Sequence, residues 1–177
     1  MSARPPVPLL VAAAVFVLVI AWLVVASLVP RNVRTFVPHI GPDTATVDAR
    51  NETEWRFFSF ARGLLTAPDT AGWDLAVRRY HLIVAGAAAE IDTGSFETLT
   101  ATPTAAYEST TYGRDTVNRA IARWYRYDMF SHLLHPKRAL YVITRRGAAA
   151  VKLELLSYYC PGPDPGCVTF RYQLLRE

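Results

Sequence analysis

Lysine is almost missing from this chain. Only Lys137 and Lys152 among its 19 basic residues are not arginine, and no dense basic run occurs. That excludes a nucleic-acid-binding tail. The net charge is +4, with 19 basic residues interleaved among 15 acidic ones. Charged residues are scarce, at 19% against 51% apolar, and this excludes a disordered chain, which needs the opposite balance. Catalytic signatures are missing too. There is no glycine-rich phosphate loop, no His-Glu-x-x-His pair and no Gly-x-Ser-x-Gly elbow. Glu90 and Asp92 lie close in sequence, but in an alanine-rich stretch where nothing pushes two carboxyl pKa values apart. They read as solvated loop charges, and no enzyme is expected. Internal repeats are absent, and 177 residues leave room for one ordinary domain plus an extra segment.

That extra segment is apolar. Val7 to Val29 is 23 residues without a charge, closed by Pro30-Arg31. A bilayer-spanning helix needs about 20 such residues at about 1.5 Å rise each. A cleaved signal has an apolar core of about 7–15 residues and a small-residue cleavage site. This run is longer and ends in Leu28-Val29-Pro30, so an uncleaved anchor over residues 7–30 is expected, after a tail of residues 1–6. No cysteine follows it closely, which excludes a lipid-modified cysteine anchor. Arg4 on one side balances Arg31 and Arg34 on the other, so charge does not orient the helix.

The two cysteines give the orientation instead. Cys160 and Cys167 bracket six residues rich in Pro and Gly, a loop tight enough to bring the sulfurs together. The rival is a metal pair, but zinc takes four ligands and no second pair exists. A disulfide pinning a hairpin is favoured, and it belongs to an oxidising compartment. The expected location is the bacterial inner membrane, single-pass, with the C-terminal domain in the periplasm.

Residues 31–43, with Pro38, Gly41 and Pro42, read as a linker, and residues 44–177 as the domain. Strands are expected at Thr44–Ala49, across the aromatic run Glu54–Arg62, and as one long strand from Trp73 to Val84. Ala85–Pro103 reads as a long loop. Arg114–Tyr127 is the best helical candidate, with Val117, Ile121 and Trp124 at helical spacing. Three strand-like runs close the chain: Ala139–Thr144, Ala149–Tyr159 and Cys167–Leu174, joined by Arg145-Arg146-Gly147 and by the cysteine loop. Short strands without regular helix alternation predict a mainly β, antiparallel domain with one short helix.

Three stretches of this domain resemble the HmuY-like family. Trp73-Asp74-Leu75-Ala76-Val77-Arg78-Arg79-Tyr80 is similar to its tryptophan–aspartate strand. Trp124-Tyr125-Arg126-Tyr127, Pro136, Tyr141-Val142-Ile143-Thr144, Gly147 and Lys152 resemble its central segment. Ser157-Tyr158-Tyr159, the glycine-bearing loop and Val168-Thr169-Phe170-Arg171-Tyr172 resemble its ending. The resemblance covers about Thr44 to Tyr172. One departure is visible: the family's Asn-Gly stretch after the first strand reads Ala85-Gly86-Ala87-Ala88-Ala89 here. The resemblance implies a mainly β fold, and founding members that are secreted or lipid-anchored haem binders.

Two functions follow as expectations. In the first, the chain is a non-catalytic, membrane-anchored accessory subunit without a cofactor. Its partners are membrane lipid and a larger integral-membrane complex, taken here as a photosynthetic or respiratory electron-transfer assembly. Its contact surface is Arg114, Arg119, Arg123, Trp124, Arg126 and Tyr127, because Arg, Trp and Tyr are enriched at interface hot spots. An aromatic core ringed by solvated arginines is the alternative for the same residues. In the second function, the chain is an anchored haem-binding protein. Haem iron takes His or Met axial ligands. The chain offers His39, His81, His132, His135 and Met129, from which His81, His132 and His135 form the candidate set.

Overall fold

The computed structural model describes residues 7–28, 44–161 and 164–176. The linker and His39 lie outside these residues. The described chain falls into two compact units. One joins helix α1 (Val7–Leu28) to the loop Asp128–Leu133. The helix has 22 residues, carries no charge and is exposed along its whole length. It is long and apolar enough to cross a membrane.

The larger unit is antiparallel β. Its six-stranded sheet contains β1 (Thr44–Asp48), β6 (Ala87–Ile91), β7 (Glu108–Ser109), β10 (Leu140–Arg145), β11 (Ala148–Tyr159) and β12 (Pro165–Leu174). Their spatial order is β1-β12-β11-β10-β6-β7. Its four-stranded sheet contains β2 (Arg56–Ser59), β3 (Gly63–Leu65), β4 (Leu75–Arg78) and β5 (His81–Val84), ordered β3-β2-β4-β5. A short helix, α2 (Arg119–Ala122), and a two-stranded hairpin, β8 (Tyr125–Tyr127) with β9 (Leu134–Pro136), complete it.

Aromatic rings join the two larger sheets. Phe58 on β2 meets Phe170 and Tyr172 on β12, with centroids 5.2 and 5.7 Å apart. Leu75, Ala76 and Val77 on β4 are all buried, and so are Val151, Leu153 and Leu155 on β11. Strand β11 is unusual in also burying the charged residues between those leucines and valine. Lys152 and Glu154 are only 3% and 5% exposed. Buried charge is tolerated only when paired or hydrogen-bonded. Lys152 donates to the carbonyls of Phe96 and Leu99. Glu154 accepts from Arg138, and from Arg171 at 2.5 Å. The loop around Phe96 thus closes over this face, with the Arg171 guanidinium 4.1 Å from its ring centroid.

Several expectations hold. The antiparallel β domain, its short helix and the three closing strands are present. Cys160 and Cys167 form a disulfide across the β11–β12 hairpin. Arg146 and Gly147 turn β10 into β11, with Gly147 at φ 68°, a conformation glycine adopts without strain.

Others need correction. The run Trp73–Val84 is not one strand but the hairpin β4–β5, with Arg78 opposite His81. Leu75-Ala76-Val77 and Leu82-Ile83-Val84 are buried at every position, so there is no in–out alternation whose change of phase would mark the break. Glu54–Arg62 likewise holds only β2 and a turn into β3. Ala85–Pro103 is not all loop: Ala87–Ile91 forms β6 beside β10, because alanines with no bulk fit where Ala88 and Ala89 are buried. The helix expected over Arg114–Tyr127 shrinks to Arg119–Ala122, and the aromatic Tyr-Arg-Tyr continues as β8. Aromatic side chains favour strands, and pairing with β9 decides the outcome.

Candidate functional site

The β4–β5 turn is where chemistry-bearing residues converge. Arg78, Arg79, Tyr80 and His81 are consecutive, and with Glu52 they line a cleft of about 280 Å³. Arg79 is a non-glycine residue at φ 54°, in the left-handed region that side chains disfavour. Its surroundings hold it there. Its backbone N–H donates to the Ala49 carbonyl at 3.0 Å. Its guanidinium reaches the Arg50 and Pro165 carbonyls at 3.5 and 3.4 Å, and Glu52 lies 3.8 Å away.

Below the turn sits Trp124. It is fully buried, and its indole N–H donates to the Tyr80 carbonyl at 2.9 Å. The ring also meets Tyr125 and Tyr158 at centroid distances of 5.3 and 6.0 Å. Tyr80 stands 4.3 Å from the His81 ring, tilted by 34°, and 5.7 Å from Tyr125 at 75°. Arg78 lies 4.6 Å above the Trp55 ring. Burial, and then the neighbouring Arg78 charge, lower the His81 pKa from its ordinary 6.5. Its imidazole is therefore neutral at neutral pH, the form that offers a nitrogen lone pair.

The other candidate histidines are placed differently. His135 lies on β9, opposite Arg126 of β8, on the hairpin whose Tyr125 touches Tyr80. His132, at φ 56°, and Met129 belong to the loop grouped with α1. Among the described residues no three His, Cys, Asp or Glu side chains gather as a metal-binding group. The expected docking surface is changed as well. Arg114, Arg119, Arg123 and Arg126 are exposed, and Tyr127 is half-exposed, but Trp124 is interior and serves the core.

Sequence reading missed Tyr80, Arg79, Glu52 and Trp55 as parts of one place. A signal was present. Arg78-Arg79-Tyr80-His81 interrupts two apolar runs, Leu75-Ala76-Val77 and Leu82-Ile83-Val84, with four polar or amphipathic residues. A larger cleft, about 440 Å³ and lined by Trp73, Asp74, Gly86 and Arg145, is a weaker candidate, because no histidine, methionine or tyrosine lines it.

These sheets and hairpins define an antiparallel β protein with the HmuY-like fold. No family model matches the chain, and no curated protein matches it. Solved structures do. The apo HmuY analog of Tannerella forsythia superimposes with a TM-score of 0.66 at 14% identity, covering 82% of this chain and all (100%) of the other. A Bacteroides vulgatus protein assigned as HmuY-like and haem-binding gives 0.62 at 20% identity, covering 76% of this chain and 92% of the other. A Bacteroides fragilis protein assigned as a lipoprotein gives 0.62 at 22% identity, with coverages of 80% and 94%.

Proposed function

We propose that this chain is a membrane-anchored haem-binding protein whose site is the Tyr80–His81 turn. The observation that carries the proposal is His81, 4.3 Å from the Tyr80 ring and sharing one cleft with the guanidinium groups of Arg78 and Arg79, on a fold shared with a protein assigned as haem-binding. The residues suit the group. His81 would offer an imidazole nitrogen to the iron, Tyr80 would offer an aromatic face, and Arg78 and Arg79 would offer charge for the propionates. Haem, when bound, supplies an iron that accepts the imidazole. The cleft, at about 280 Å³, lies just below the usual range for enclosing a ligand. His135, on the hairpin next to Tyr80, is the candidate for a second ligand.

The role is binding, with no catalytic step assigned. Helix α1 serves as the anchor, and the disulfide fits a periplasmic domain at the inner membrane. Docking on a photosynthetic or respiratory complex receives no support from the fold matches, and its surface has lost Trp124 to the core.

An absorption spectrum tests the proposal. Haemin added to the full chain in mild detergent is expected to give a Soret band that saturates at one equivalent. His81→Ala is expected to weaken binding at least tenfold, and His135→Ala to shift the band. A wild-type protein that leaves the haemin spectrum unchanged overturns the reading.

A further inference from the structure

The loop Asp128–Leu133 carries two large apolar side chains with little cover. Met129 and Phe130 are each 76% exposed. Adjacent bulky residues at a loop tip lose favourable burial free energy unless something apolar receives them. The same unit indicates what does. The Phe130 ring stands edge-on to Trp22, with centroids 6.1 Å apart. Trp22 lies six residues before Leu28, the end of α1, about 9 Å along the axis. The whole helix is about 33 Å long, matching a hydrocarbon core of about 30 Å. With α1 across a bilayer, a ring at the level of Trp22 lies below the headgroups.

The loop backbone suits that location. Asp128 accepts hydrogen bonds from the N–H groups of Phe130 and Ser131 at 2.8 and 3.3 Å. The Asp128 N–H donates to the Leu133 carbonyl at 2.9 Å. Polar backbone groups satisfied inside the loop do not have to find partners in lipid.

We propose that Met129 and Phe130 form a membrane-inserting tip beside α1. The proposal rests on α1 spanning the membrane and is independent of haem. Both native cysteines are in the disulfide, so one introduced cysteine can carry a nitroxide. Labels at Phe130→Cys and Met129→Cys are compared with Val17→Cys in the helix and Thr104→Cys on the exposed surface. The full chain is placed in nanodiscs of phosphatidylcholine and phosphatidylglycerol. Collision rates with oxygen, which prefers lipid, and with a nickel chelate, which prefers water, are then measured.

At positions 129 and 130 the oxygen-to-nickel ratio is expected to exceed that at Thr104 severalfold and to approach that at Val17. A ratio equal to that at Thr104, with Val17 in lipid, overturns the tip while the anchor stands. A water-exposed Val17 overturns both. Labels at 129 and 130 shielded from both reagents mean a protein cover, and the lipid proposal fails.

Discussion

Trp124 and Tyr80 are 44 residues apart, and one hydrogen bond of 2.9 Å joins the indole of the first to the carbonyl of the second. The bond ties the segment after α2 to the β4–β5 turn. It places a fully buried ring directly beneath the residue next to His81. Trp124→Phe keeps most of the ring volume and leaves the carbonyl without its donor, so a loss of about 1–3 kcal/mol is expected. Trp124→Ala also opens a cavity, for about 3–5 kcal/mol. Denaturation of the full chain in detergent, followed by circular dichroism, measures both. Haemin affinity of the Phe variant is the second readout. It is expected to fall even at temperatures where the variant is fully folded, because the turn has lost its support. Unchanged stability in both variants would show that the ring does not hold this turn.

His81 links stability to pH with a definite sign. Its folded pKa lies below 6.5, through burial first and the Arg78 charge second. Arg79, Tyr80 and Glu52 share its cleft. In the unfolded chain the imidazole takes up its proton earlier as the pH falls. The unfolded state then binds more protons, so stability rises with pH across that window. The contribution is complete above about pH 6.5 and disappears as the pH drops through the lowered folded value. The melting temperature of the wild type is expected to fall more steeply between about pH 7 and pH 5 than that of His81→Gln, which has no proton to gain. Haemin release in the same window is the accompanying expectation. Parallel melting curves for the two proteins would remove His81 as the titrating group.

The parts of this fold legible in the sequence are those where one residue dictates a local outcome. The Pro- and Gly-rich loop between Cys160 and Cys167 allowed a hairpin and a disulfide, and both are present. The β-rich runs of β10, β11 and β12 read as strands because Val, Ile, Tyr and Phe fit a pleated surface. What stayed hidden depends on distant partners. Apart from the polar interruption of two apolar runs, Arg79-Tyr80 carries no turn-forming residue, and its left-handed residue is an arginine held by Ala49 and Pro165. Val117, Ile121 and Trp124 keep helical spacing, yet pairing of Tyr125 with Pro136 ends the helix after one turn. His81 was visible as a candidate. Its cleft was not, because Glu52 reaches it from a segment 29 positions earlier.

Gly86 shows the same dependence and gives a demanding test. It lies between β5 and β6, where the chain crosses the end of β10. A Cβ there would stand 1.8 Å from the Thr144 carbonyl oxygen and 2.9 Å from its carbon. Both are backbone atoms, and Thr144 is held in register with Ala87. No rotamer change relieves such a clash; the edge of the sheet has to move. Gly86→Ala is therefore expected to lose about 3 kcal/mol or more, the upper end for overpacking. Gly113 is the internal control, because nothing lies within 4 Å of its added Cβ. Gly113→Ala is expected to stay within about 0.5 kcal/mol of wild type, as surface changes usually do. Urea unfolding of the three proteins in detergent reads the difference directly. If Gly86→Ala unfolds at the same midpoint as Gly113→Ala, the link from β5 to β6 does not pass against Thr144, and the pairing of β6 with β10 has to be redrawn.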